Sequence, residues 1–269
     1  MDIKVIKIGG NIVDNPELLD GFVRDFAAMP GKKILVHGGG VIASEMQKAM
    51  GMTPKMIEGR RVTDEDTLRT VTMVYAGWCS KNIVAKLQAA GCNALGLCGA
   101  DCNVIQAERR APIMVESLGE MIDYGYVGDV KAEGVDTGLI LKFLDMGITP
   151  VFNAINHDAK GRLLNTNADT IASSVAVALA LKGNNEVELI YCFEKDGVLY
   201  DKDDNASIIP EIDPDYFNHL KAEGIIADGM IPKLTNSFKA ISSGVSKVII
   251  KHASNLLNTR GTILKSCRP

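Results

Sequence analysis

The chain has 269 residues, 46% hydrophobic and 23% charged, with a formal net charge of -4. That is room for one large α/β domain or two small ones around a sizeable core. The acidic balance and the scatter of lysine and arginine exclude a basic nucleic-acid face, so any bound anion is expected to be small and locally gripped.

The N-terminus enters a strand at once, without the charged and apolar regions of a signal peptide. The most apolar run, residues 171–181, is too short to span a bilayer and carries Ser173 and Ser174. No membrane partner is therefore expected. The six cysteines (Cys79, Cys92, Cys98, Cys102, Cys192, Cys267) read as reduced thiols of a cytoplasmic protein. Cys98 and Cys102 lack partners at zinc spacing, and the four histidines show no metal spacing, so no protein-held metal is expected.

The first strand, residues 3–6, ends in Lys7-Ile8-Gly9-Gly10. Asn15, Pro16 and Glu17 then read as N-cap, N1 and N2 of a helix with the apolar stripe Leu18, Leu19, Phe22, Val23 and Phe26. A second strand, residues 33–36, ends in His37-Gly38-Gly39-Gly40 and leads to a helix over 41–50 closed by Gly51. Thr63-Asp64-Glu65-Asp66 reads as a capping box opening a long helix to Gly91, with Val71, Val74, Tyr75 and Trp78 on one apolar face. That face suits either the core or a dimer seam.

Residues 94–130 break into short segments rich in Gly and Pro, predicting hairpins beside the sheet. Residues 149–154 and 188–193 read as buried strands. Asn165-Thr166-Asn167-Ala168-Asp169 precedes a helix rich in Ala and Val between them. Residues 201–214 read as loop, and a last helix and strand fill 238–250 before Gly261-Thr262. Strands alternating with helices predict an α/β fold, a three-layer αβα sandwich on an open, mostly parallel sheet. The two halves are expected to share that sheet and meet in a cleft near Thr149.

Two glycine turns on successive strands let several backbone N–H groups face one anion. With a lysine beside them they suggest phosphate held close to a second anion, the geometry of phosphoryl transfer. Transfer to a carboxylate needs cations at the moving group, backbone donors around it and separate clamps for the substrate. Lys7 supplies one cation and Lys233, in Asp228-Gly229-Met230-Ile231-Pro232-Lys233, a second. Arg61 could grip a carboxylate bidentately, and Arg60 is its equal on chemistry alone. Asn165 and Asn167 could bind substrate or simply cap the following helix, and Asp169 could hold cationic lysines. His37 is expected to pack or hydrogen-bond locally. No P-loop, nucleophile elbow or G-x-G-x-x-G fingerprint is present.

Taken together, these motifs resemble the amino-acid-kinase family nearly end to end. The match also takes in Gly59-Arg60-Arg61-Val62-Thr63, Gly96-Leu97-Cys98-Gly99-Ala100-Asp101, Gly125-Tyr126-Val127-Gly128-Asp129-Val130 and Gly261-Thr262. Carbamate kinases carry H-G-N-G at the second turn, and aspartokinases append regulatory domains. The branch acting on N-acylated glutamate fits better.

That resemblance implies ATP-dependent phosphorylation of the γ-carboxylate of an N-acylated glutamate in arginine or ornithine synthesis. Lys7 and Lys233 would stabilise the transferring phosphoryl group and Asp169 would orient them. Gly38, Gly39, Arg61 and Asn165 would hold the substrate. Gly9, Gly10, Gly40, Glu194 and Gly197 would face the nucleotide, with Mg²⁺ arriving on ATP. An acyl-amino-acid and dimerisation lobe over about 1–150 and a nucleotide lobe over about 151–269 are implied. Phe193-Glu194-Lys195-Asp196 departs from the family's Thr/Ser-Asp-Val-x-Gly run, with Glu194 in place of the aspartate. The N-terminal helix of arginine-inhibited hexamers is missing, which implies a homodimer on the helix at 64–90 without that feedback. Acetyl is the default acyl group, and a bulkier acid such as succinyl stays open.

Overall fold

The computed structural model describes residues 1–183, 185–226 and 230–266. Asp228 and Gly229 of the lysine-bearing motif, and Cys267, lie outside them. Eight strands form one sheet: β1 (Asp2–Ile8), β2 (Lys32–His37), β3 (Ala94–Leu97), β4 (Thr149–Phe152), β5 (Glu186–Phe193), β6 (Glu211–Ile212), β7 (Lys247–His252) and β8 (Thr262–Leu264). Their order is β6-β8-β7-β5-β1-β2-β4-β3. The run from β7 to β3 is parallel throughout, and β8 is antiparallel to β7.

The central strands read as continuous apolar runs because both faces are covered. In β1, Ile3, Val5, Ile6 and Ile8 are all fully buried. One covering layer contains α2 (Pro16–Ala28), α3 (Gly40–Ala49), α4 (Glu65–Thr72) and α5 (Ser80–Ala89), with the short α1 (Gly10–Asp14) at its margin. The other contains α6 (Thr137–Asp145), α7 (Ala168–Leu181), α8 (Pro214–Ala222) and α9 (Met230–Ser242). Helices α5 and α6 both reach β4, one from each layer. This is the expected sandwich.

Helix α2 starts as expected: the Asn15 side chain accepts from Glu17 N and Leu18 N, and Pro16 sits in the first turn. Its stripe buries Leu19, Phe22, Val23 and Phe26, each contributing roughly 1.5–3 kcal/mol. Helix α3 ends where expected, with Gly51 at φ +78°.

Several elements differ from the sequence expectation. Asp64, not Thr63, caps α4 by accepting from Thr67 N at 2.8 Å. Thr63 is fully buried and already engaged, its backbone bonded to Tyr124 and Tyr126. The long helix is α-helical only at its ends, because Met73–Cys79 forms a π-helical stretch. Its wider turns shift the buried stripe from position 78 to 79, so Tyr75 and Cys79 stay inside while Trp78 is 65% exposed. Residues 94–97 join the main sheet as its edge strand; the hairpins expected beside the sheet begin only after them. Helix α6, helix α8 and the short strand β6 were not anticipated.

The closing Gly261-Thr262 motif has a structural task. Thr262 Oγ1 accepts from Val198 N at 2.8 Å and donates to Ile209 O at 2.7 Å. A Cβ at Gly197 would meet that oxygen at 2.6 Å, so only glycine fits there. Thr262→Val should therefore strand two buried backbone groups and cost about 1–3 kcal/mol, read as a lower denaturation midpoint in urea. An unchanged midpoint would contradict this role.

Candidate active site

The site forms at the carboxyl ends of β1 and β2, where open α/β sheets bind ligands. Strand β1 delivers Lys7 and then turns into α1 through Gly9 and Gly10; β2 turns into α3 through Gly38, Gly39 and Gly40. The two turns lie side by side: a Cβ on Gly10 would sit 3.7 Å from Gly40 N. Gly39 adopts φ +156°, and a Cβ there would strike Cys79 Sγ at 2.9 Å and the Tyr75 ring at 3.1 Å. The π-helical stretch thus supports the second turn from behind.

Helix α7 packs on β1, β2 and β5 and directs its N-terminus at both turns. Its cap is Asn167, whose side chain accepts from Asp169 N and Thr170 N. That frees the Asp169 carboxylate for Lys7 Nζ, 2.7 Å away. Asn165 is buried and donates through Nδ2 to Thr63 Oγ1 at 3.1 Å. Of the two asparagines in the motif, only Asn167 caps the helix.

Lys233 lies within α9, which starts at Met230, rather than in the loop expected from its proline and glycine neighbours. Its ammonium stands 3.3 Å from the centroid of the Phe193 ring, and Lys7 Nζ is 5.4 Å from the same ring. The aromatic departure at position 193 therefore serves both lysines through cation–π attraction. Tyr191 stacks under Phe193 at 5.9 Å between centroids and donates its hydroxyl to Asp169 O at 3.3 Å. Burial pushes Lys233 down to about 8; Asp169 opposes that shift and Lys7 adds to it.

Two cavities meet at this point. The larger, about 600 Å³, is lined by Gly38, Gly39, Gly40, Arg61 and Asn165 among others. The smaller, about 370 Å³, is lined by Gly9, Phe193, Glu194, Gly197 and Lys233 among others. Lys7, Gly10, Asn11 and Asp169 line both. Every residue singled out from the sequence as a site candidate thus lines one cavity or the other.

Arg61 is buried and fixed against α3. It donates to Gly40 O and Ser44 Oγ at 2.8 Å each, and to Gln47 Oε1. Gln47 in turn donates to Thr67 Oγ1 at 3.0 Å. Asn11, Ser44 and Gln47 escaped the sequence reading. A glutamine on the inner side of α3 was the available signal for the last.

His37 is fully buried, with Nδ1 2.7 Å from Gly38 O, and burial lowers it to about 4. It is neutral near pH 7 and donates to that carbonyl, the local role expected. Among the described residues no group of three or more His, Cys, Asp and Glu could hold a metal ion. No helix among them is long and apolar enough to cross a membrane.

Paired glycine turns, two lysines and adjoining cavities define a small-molecule phosphotransferase architecture. The model of the amino acid kinase family matches residues 2–252. The chain belongs to that family. It is 52% identical over 253 residues to an acetylglutamate kinase of Cytophaga hutchinsonii, covering 94% of this chain and 92% of that one. It is 49% identical to an acetylglutamate kinase of Phocaeicola vulgatus, covering 98% of each. The crystal structure of smu.665 from Streptococcus mutans UA159 superposes with a TM-score of 0.75 at 29% identity, covering 98% of both chains.

The position of Lys233 sets a pH dependence. As pH rises through about 8 its charge is lost in the free protein, so affinity for ATP should fall on the alkaline side. Lys233→Arg, which stays charged, should flatten that limb in a titration of ATP binding. An alkaline limb unchanged in the arginine variant would assign it to another group.

Proposed function

We propose that this chain transfers the γ-phosphoryl group of ATP to the γ-carboxylate of N-acetylglutamate or another N-acylated glutamate such as N-succinylglutamate. The reading rests on one observation above all: two cavities, one beside Arg61 and Asn165 and one beside Phe193 and Lys233, share Lys7, Gly10 and Asp169. The acyl-amino acid occupies the larger and ATP the smaller. The names of the relatives favour the same reaction.

A carboxylate oxygen bonds to the γ-phosphorus as the bond to the β-phosphate oxygen breaks, giving an acyl phosphate and ADP. The acceptor is already ionised near pH 7, so no general base is needed, in keeping with a buried, neutral His37. The difficulty is charge. Lys7 and Lys233 offset the negative oxygens of the phosphoryl group, and N–H groups of Gly10, Gly39 and Gly40 receive them. Asp169 holds Lys7 at the junction. Arg61 and Asn165 take the α-carboxylate, and Glu194 and Gly197 border the nucleotide. Mg²⁺ accompanies ATP; the lysines and glycine amides suit its phosphate oxygens, and magnesium would add charge neutralisation there.

Residues about 1–150 would then form the acyl-amino-acid lobe and about 151–269 the nucleotide lobe. A cytoplasmic setting is supported by free thiols at Cys79, Cys92, Cys98, Cys102 and Cys192. A homodimer is supported by Trp78 and Met73, 65% and 48% exposed on the helix spanning 65–89. Light scattering should give twice the 28.9 kDa chain mass, and Trp78→Glu should lower it. A hexamer, or a dimer indifferent to that change, would sink the helix-seam proposal.

Lys7→Ala and Lys233→Ala should each reduce turnover with Mg-ATP and acylglutamate by about 100-fold or more, with unchanged circular dichroism. Turnover that survives both single changes would refute these roles.

A further inference from the structure

Arg60 is a partly buried cation lining the larger cavity. Among the described residues its guanidinium makes no hydrogen bond or ion pair. Two carboxylates lie on its side, and both are engaged. Both oxygens of Asp129 accept from Arg110, and Glu58 Oε1 accepts from Ser117 Oγ at 2.7 Å. Burial lowers the Arg60 pKa most and the neighbouring Arg110 lowers it further, while Asp129, Tyr124 and Glu58 oppose the shift. An arginine so placed is costly unless an anion arrives to meet it.

Its direction matters. Arg60 and Arg61 are consecutive on one strand of a short hairpin, where neighbouring side chains point to opposite sides. Arg61 turns to α3 and its partners Gly40, Ser44 and Gln47. Arg60 turns to Arg110, on another wall of the same cavity. With the γ-carboxylate at the glycine turns and the α-carboxylate at Arg61 and Asn165, the acyl group is the part of the substrate left for that wall. A neutral methyl would leave the Arg60 guanidinium with no hydrogen-bonded counter-ion, since Asp129 and Glu58 act on it only at longer range.

We propose that this wall is a carboxylate subsite, and that the preferred substrate is an N-acylglutamate whose acyl group ends in its own carboxylate, the succinyl class. This rests on the acylglutamate kinase reading. Arg60 grips the terminal carboxylate through its planar donor fork, and Arg110, fixed by Asp129, adds positive potential beside it.

The test compares kcat/KM with Mg-ATP for N-acetyl-, N-butyryl-, N-succinyl- and N-succinamoylglutamate, the last a neutral amide of the succinyl size. N-succinylglutamate should exceed both the acetyl compound and the amide by at least about tenfold. Arg60→Leu should bring the succinyl-to-amide ratio to about one, and Arg60→Lys should keep an intermediate ratio. Equal turnover of succinyl and amide substrates by the unaltered protein would overturn the proposal, whatever the variants do. So would Arg60→Leu lowering all four alike, which would place the α-carboxylate at Arg60. Turnover of none of the four, with ATP binding intact, would overturn the kinase reading and this proposal with it.

Discussion

Lys7 sits near the end of β1, whose apolar residues are fully buried, and its ammonium reaches Asp169 in the first turn of α7, 2.7 Å away. That ion pair joins the end of the sheet to the start of a helix, at the point where two cavities touch. The side chain of Lys7 is only 11% exposed, so solvent screens its charge less than it would a surface lysine's. A partly desolvated cation of this kind is useful to a transferring phosphoryl group, and it needs a carboxylate to hold it in place beforehand. Removing Asp169 would leave Lys7 and Lys233 as like charges against one aromatic ring.

The rest of the site follows from that constraint. The two glycine turns lie within van der Waals distance of each other at Gly10 and Gly40, and the helix behind the second leaves no room for a side chain at Gly39. Tyr75 and Cys79, rephased by the π-helical stretch, fill the space behind Gly39, so a helix irregularity supports the second glycine turn. Phe193 offers both lysines a ring face, and it also lines the smaller cavity.

The sandwich and most of the site were legible because they rest on local signals. Buried parallel strands read as unbroken apolar runs, and Asn15-Pro16 announces α2 through its own side chain. Glycines flanking a lysine mark an anion site whatever follows them. What escaped depends on contacts distant in sequence. Thr63 looks like a cap, but its backbone is taken by Tyr124 and Tyr126, so Asp64 acts instead. The burial of position 79 in place of 78 reflects a π turn that no 3.6-residue count anticipates. Lys233 read as a loop residue because Pro232 looks like a breaker, although proline is tolerated in the first turn of a helix. Gln47 is a site residue only through Arg61, whose direction the sequence left open.

The central claim is that a carboxylate in one cavity attacks the terminal phosphate of a nucleotide in the other. Its product, an acyl phosphate, reacts with hydroxylamine to give a hydroxamate, whereas simple ATP hydrolysis gives none. The most direct measurement is therefore hydroxamate formed against ADP released, with Mg-ATP and an N-acylglutamate. The account predicts one hydroxamate per ADP and neither product with free glutamate. ADP without hydroxamate, or equal yields from free glutamate, would contradict it.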